Sequence, residues 1–291
     1  MNYYNIYTEF IKKFFNISHP IKIVFDCSNG TTGLVLKKIK NKNLKLIIIN
    51  EKPDGRFPAH GPDPLKPGAI FQLQKAVKKN RADAGVIFDA DGDRVFFIDN
   101  LGRFIDPDII TYLLARKFKP PFIVDVRTGK LIEEFKKTFI KSRVGHYFIK
   151  KLMISKKIEF AAERSGHYYF NIDNAYFDSG IIAAFQVLNE LSRLPYTLAD
   201  LADFLPQYHR SGEINLAVKN PIEALKKMEN KYRYQAKKIS RLDGLTMEFN
   251  DYWFNIRPSN TEPVIRLNIE SMSKKVLLAR LKALKKEINL L

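Results

Sequence analysis

Short apolar runs alternate with stretches of helical periodicity through the first two thirds of the chain. Residues 21–26, 44–49, 84–88 and 95–98 read as strands, and helical spacing predicts helices from about Thr31, over 69–80 and over 107–118. Tyr3, Tyr7, Phe10, Ile11, Phe14 and Phe15 recur at helical spacing, which predicts an amphipathic helix over 2–15. Residues 51–68 hold five prolines and three glycines, the composition of an ordered loop.

Pro120-Pro121 punctuates the chain, and a second cycle begins. Strands are predicted at 122–126, 140–144, 158–162 and 168–172, and helices at 130–138, 147–154 and 178–192, with a short helix between Pro195 and Pro206. From Gly212 separated strands frame two long helices near 220–231 and 274–288. Strand–helix alternation implies helices on the faces of a mostly parallel sheet. The expected fold class is therefore α/β: two consecutive α/β/α units with mixed sheets, over 1–119 and 120–209, and a smaller α+β domain over 210–291.

Composition narrows the class. Of 291 residues 45% are hydrophobic and 27% charged, as in a globular protein with a real core. One cysteine, Cys27, excludes an internal disulfide framework and fits a reducing, cytoplasmic compartment, with the thiol a small residue at the core's edge. No run reaches the roughly 18 apolar residues of a membrane span, and no cleavable leader is recognisable at the N-terminus. The net charge of +18 points to an anionic partner. Lysines outnumber arginines 34 to 15 and are dispersed, and no zinc-finger, RRM or aromatic–basic pattern occurs. Phosphorylated small molecules are thus favoured over nucleic acid.

Four polar segments carry candidate chemistry. In Asp89-Ala90-Asp91-Gly92-Asp93-Arg94, three carboxylates alternate with small residues directly after a strand. A curled loop turns them toward one point, where their repulsion calls for a hard divalent cation, Mg²⁺ or Ca²⁺. An EF-hand is excluded, because its sixth and twelfth positions hold Arg94 and Asn100 instead of Gly and Glu. In Glu163-Arg164-Ser165-Gly166-His167, between two strands, Glu163 and Ser165 suit the reading of sugar hydroxyls, and His167 an acid–base or phosphate role. A polar hairpin turn would look similar. His146, after Gly145, and Lys150, one helical turn on, are candidates for a phosphate or hydroxyl; a helix-capping or surface role is the plain alternative for His146. In the 257–263 loop Arg257, Ser259, Asn260 and Thr261 suit an anion cradle, with Arg266 on the next strand as a second cation.

These segments, with DCSNGTTG at 26–33, PDGRFPAHGPDPLKPG at 53–68, VGH at 144–146 and RPSNTEPVIRLNIE at 257–270, resemble the α-D-phosphohexomutases, most closely the bacterial phosphomannomutase/phosphoglucomutase group. The resemblance implies a four-domain architecture of which this chain supplies domains two, three and four. It implies Mg²⁺ on Asp89, Asp91 and Asp93, and substrate binding by Glu163, Ser165, Arg257, Ser259, Asn260 and Thr261, and by Arg127, which stands where the family usually has lysine; Lys150 and Arg266 join them as substrate-binding candidates from the reading of their own segments. His167, His146 and Arg94 become the candidate catalytic residues. The expected reaction interconverts hexose 6-phosphate and hexose 1-phosphate through a phosphoserine. No Thr-Ala-Ser-His-Asn-Pro motif of the family's first domain occurs here, so a separate phosphoserine-domain chain is the candidate partner. The apolar face of the N-terminal helix is read as the scar of, or docking surface for, that missing piece. The alternative function is a non-catalytic sugar-phosphate-binding protein.

Overall fold

A computed structural model describes residues 3–135, 138–259 and 263–290. The chain forms two compact units, Met1–Phe122 with Met153–Leu205, and Ile123–Leu152 with Pro206–Leu291. The first stretch runs α1 (Tyr3–Lys12), β1 (Ile21–Asp26), α2 (Gly33–Leu36), β2 (Leu44–Ile49), α3 (Phe71–Asn80), β3 (Ala84–Phe88), β4 (Val95–Asp99) and α4 (Pro107–Ala115). There follow β5 (Phe122–Asp125), α5 (Lys130–Glu134), β6 (Phe139–Ser142), α6 (His146–Lys156), β7 (Phe160–Ala162), β8 (Tyr168–Ile172), β9 (Ala175–Asp178), α7 (Gly180–Leu191) and α8 (Leu198–Phe204). The last stretch holds β10 (His209–Arg210), β11 (Ile214–Ala217), α9 (Pro221–Tyr232), β12 (Lys238–Ser240), β13 (Leu245–Glu248), β14 (Tyr252–Pro258), β15 (Val264–Ser271) and α10 (Lys274–Ile288). The fold is mixed α/β, as the periodicity predicts, and no helix of the described residues is long and apolar enough to cross a membrane.

In the first unit the strand order is β2-β1-β3-β4, with β1 parallel to β2 and β3, and β4 antiparallel to β3. The antiparallel step follows from chain length. Phe88 pairs with Val95, so six residues return the chain directly, where a parallel crossover needs a dozen or more. α3 lays Leu73 and Val77, one helical turn apart, on Val24, Ile87, Phe96 and Ile98. Each such fully buried side chain contributes about 1.5–3 kcal/mol. Farther along the same unit β7, β8 and β9 form an antiparallel meander. α7 follows it, with Ser179 capping its first turn at Ile182 N (3.2 Å).

The N-terminal helix corrects one expectation. Its apolar face packs within the unit: Ile11 is fully buried, Phe10 meets Phe177, and Phe15 meets Phe185 with ring centroids 4.5 Å apart. Asn16 N also donates to Asn189 of α7 at 2.8 Å. Tyr3, Tyr4 and Ile6, near its start, remain exposed. Other differences are shorter elements. The helix expected from Thr31 is the single turn of α2. That expected over 130–138 stops at Glu134, because Phe135 is already extended. β9 was not anticipated; its polar Asp173-Asn174 turn, with both residues left-handed, closes a hairpin whose outer strand is only half-buried.

In the second unit an antiparallel sheet runs β10-β15-β14-β13-β12, with β11 also on β15. Its core joins Ala224 and Met228 of α9 and Leu277 and Leu284 of α10 to Leu245, Phe254, Ile256 and Leu267 of the sheet. β5 and α5 belong to the same unit. Glu270, buried on β15, accepts from Lys130 N (2.9 Å) and Trp253 Nε1 (2.7 Å) and pairs with Arg210. A Cβ at Gly129 would lie 1.9 Å from the Arg210 guanidinium and 2.0 Å from the Glu270 carboxylate, so any larger residue there would make this ion pair shift.

Candidate active site

The acidic loop is built from its first carboxylate outward. Asp89 is buried at the end of β3, and its Oδ1 accepts from Gly92 N and Arg94 N, both at 3.1 Å. Its Oδ2 accepts from Arg94 Nε at 2.7 Å. Gly92, at φ +79°, supplies the left-handed turn that curls the loop. The Ser28-Asn29-Gly30 turn after β1 braces it: Thr31 N donates to Ala90 O (3.0 Å), and a Cβ on Gly30 would sit 2.1 Å from that oxygen. Ligand atoms of Asp89, Asp91 and Asp93 all lie within 4.8 Å of one another. Three carboxylates this close offer the all-oxygen ligand set of a hard dication. Burial pushes the Asp89 carboxyl above the usual range even with Arg94 opposing. The hydrogen bond with His167 holds Asp93 below that range.

The Glu163–His167 turn is stitched to this loop. Arg94 and His167 form an antiparallel bridge, and Val95 N donates to Gly166 O at 3.0 Å. Gly166, at φ +91°, lies on the Phe96 ring, which a Cβ would approach to 2.6 Å. His167 Nε2 is 3.4 Å from Asp93 Oδ2, and its Nδ1 is 3.0 Å from Ser165 Oγ and 3.6 Å from Glu163 Oε2. Glu163 is buried, and the Tyr169 hydroxyl donates to it at 2.5 Å. A cavity of about 550 Å³ is lined by Pro62, Asp89, Asp91, Asp93, Arg94 and His167. The first unit thus brings together Asp89, Asp91, Asp93, Arg94, Glu163, Ser165 and His167.

The second unit carries the remaining candidates. Arg257 belongs to β14 itself, not to the loop after it, and faces Arg266 of β15 directly across the ladder. Two like charges so placed repel, and Glu213, just before β11, offsets them. It lies 2.8 Å from Arg257, 3.4 Å from Arg266 and 3.7 Å from Arg127. Burial opposes ionisation of Glu213, yet the Arg257 hydrogen bond and the three guanidinium charges hold its carboxyl low. Arg127 also pairs with Asp125 at 2.8 Å. Ser259 N bonds Val264 O at 2.9 Å, closing the base of the loop. His146 opens α6 after Gly145, and Lys150 lies one turn on. Asn260 and Thr261 lie outside the described residues.

Three family models match in order: phosphoglucomutase/phosphomannomutase alpha/beta/alpha domain II over residues 5–102, alpha/beta/alpha domain III over 106–208, and the C-terminal domain over 213–287. The chain belongs to the phosphoglucomutase/phosphomannomutase family. A phosphomannomutase of Methanocaldococcus jannaschii is 38% identical over 274 residues, 91% of this chain and 60% of that protein. The crystal structure of a Burkholderia thailandensis phosphoglucomutase/phosphomannomutase family protein superposes with a TM-score of 0.86 at 28% identity, over 99% of this chain and 64% of that one. An Aspergillus fumigatus N-acetylphosphoglucosamine mutase, solved with GlcNAc-6P and magnesium, shares the fold at a TM-score of 0.69 and 15% identity, over 99% of this chain and 65% of that one. The chain therefore spans about three fifths of the curated relative's length.

In this chain the structure also sets the surroundings of two residues outside the site loops. Cys27, read from the sequence as a small residue at the core's edge, is fully buried, and burial pushes its thiol up to about 12, which leaves it inert. His60, from the proline-rich segment, meets the fully buried Asp26 at 3.1 Å. The signal is an Asp at the end of an apolar strand, with no basic residue beside it in the sequence. The Asp26 hydrogen bond raises His60 above its ordinary value of 6.5. A histidine raised in the folded state stabilises fully below about pH 6.5, and that contribution fades as pH rises through the folded value. We expect the melting temperature to fall more steeply as pH rises above about 6.5 in the wild type than in His60→Gln, which does not titrate. Parallel curves would show that the pair contributes no pH dependence.

Proposed function

We propose that this chain is the metal-, sugar- and phosphate-binding part of a cytoplasmic phosphohexomutase that interconverts hexose 6-phosphate and hexose 1-phosphate, acting with a phosphoserine-bearing domain. The observation that carries the reading is the stitching of the acidic loop to the Glu163–His167 turn, Arg94 against His167, in a chain of this family. Residues 1–119, 120–209 and 210–291 serve as the family's domains II, III and IV.

In this reading Asp89, Asp91 and Asp93 hold Mg²⁺, as the relative solved with magnesium suggests. When bound, the ion offsets charge on the transferring phosphoryl group. Glu163 and Ser165 orient the ring through its hydroxyls. His167, held between Ser165 and Asp93, exchanges the proton of the sugar hydroxyl as its O–P bond forms and the serine O–P bond breaks. Arg94 adds positive charge beside the reacting centre. Arg127, Arg257, Ser259, Asn260, Thr261 and Arg266 hold the phosphate that is not reacting, with Lys150 and His146 as further contacts.

The test mixes this chain with a separately produced phosphoserine domain, Mg²⁺ and mannose or glucose 1-phosphate, and follows hexose 6-phosphate in a coupled assay. Turnover is expected with both chains present and to be lost when either is omitted. Calorimetry on this chain alone gives the second arm. Binding without turnover in any combination would leave a sugar-phosphate-binding protein, and no binding at about 1 mM ligand would remove both readings.

A further inference from the structure

The segment 51–68 has no part in the function argued so far, yet it is pinned at Asp54, Ala59 and His60. Asp54 N donates to Asn29 O (2.9 Å), Ala59 N to Asn29 Oδ1 (3.3 Å), and Gln72 Nε2 to Ala59 O (3.3 Å). His60 is anchored on Asp26, whose other oxygen accepts from Ser28 N and Asn50 Nδ2, each at 3.0 Å. Beyond these pins the chain delivers Pro62 to the wall of the acidic cavity and Asp63 to Arg94, whose Nη1 lies 3.3 Å from Asp63 Oδ1. Asp63 is itself held by its own turn, with Leu65 N donating to the same oxygen at 3.1 Å.

Arg94 therefore bridges two carboxylates, Asp89 through Nε and Asp63 through Nη1. Its guanidinium organises Asp89 by bonding its Oδ2, and it is also a fixed positive charge beside the three loop carboxylates. A carboxylate on its far side offsets that charge and draws part of its hydrogen bonding away.

We propose that Asp63 is a positioning residue that sets the divalent-cation affinity of the acidic loop, acting through Arg94 and held in place by the strut of residues 51–68. The inference rests on the reading that Asp89, Asp91 and Asp93 bind a dication. Asp63 does not touch the ion; it tunes the cation next to it.

The probe is Mn²⁺, titrated into the full chain and followed by electron paramagnetic resonance of the free ion, with no substrate present. Asp63→Asn keeps the shape and the Leu65 contact but removes the charge. It is expected to weaken Mn²⁺ binding about three- to tenfold, the size of effect one solvent-screened charge exerts on a nearby dication. Asp63→Glu restores the charge and is expected to bind within about twofold of wild type. Both variants should melt with the wild type when metal-free, which separates tuning from general destabilisation. Unchanged Mn²⁺ affinity in Asp63→Asn, with a wild type that binds, overturns the proposal and leaves the metal reading standing. A wild type that binds no Mn²⁺, or binds it no better than Asp91→Asn, overturns the metal reading and the inference with it.

Discussion

Asp91→Asn is expected to lower divalent-cation affinity on the order of 100-fold, because ligand charge count is the main lever on an all-oxygen site. Among the three loop carboxylates Asp91 isolates this effect best. Asp89 is structural as well, accepting from two backbone N–H groups and the Arg94 side chain, so its loss would disturb the loop itself. Asp93 shares His167. Asp91 is exposed, and its carboxylate makes no ion pair among the described residues. Removing one of three mutually repelling carboxylates should also leave the metal-free protein at least as stable as wild type. Mn²⁺ titration and metal-free melting check both halves. Wild-type affinity in the variant would show that the alternating aspartates are a solvated turn and not a cation site.

The largest expected effect on stability comes from the second unit. Glu270→Ala removes a buried carboxylate that joins Lys130 N, the Trp253 indole and Arg210. Breaking one side of a buried ion pair leaves a desolvated charge behind and typically costs about 3–5 kcal/mol. Glu270→Gln retains an oxygen for Lys130 N and Trp253 but loses the charge and the acceptor that faces Arg210, so its cost should be smaller than that of Ala. Urea denaturation should give midpoints in the order wild type, Gln, Ala. A midpoint for the Ala variant equal to that of wild type would show that Arg210 finds another partner and that the network contributes nothing. The prediction is independent of function, so it separates a folding role for the 257–270 motif from a ligand-binding one.

Two features of the phosphate-side candidates changed between sequence and structure. Arg257 was expected on a loop and lies in β14, opposite Arg266. The strand boundary moved because Pro258 can close an antiparallel ladder from its end, where no backbone donor is required. Glu213 was not singled out at all. It stands more than 40 residues from the arginines it meets on β14 and β15, and nothing in its neighbourhood in sequence marks it.

Much of the architecture was legible because it is carried by short-range pattern. Apolar runs of three to five residues mark β1, β3 and β4, since strands buried on both faces have little polar alternation. The aspartate triad was legible for the same reason: its alternation with Ala90 and Gly92 is a local property of six residues. What only the tertiary structure decided are pairings between residues far apart in the chain. Asp26 with His60, Asp63 with Arg94, Arg94 with His167, and Glu213 with its arginines depend on which loops the sheet order brings side by side. Periodicity records whether a residue faces a core, because burial repeats with the backbone. It does not record which partner a buried or half-buried charge will meet, because that partner is selected by three-dimensional packing and leaves no repeat in the chain.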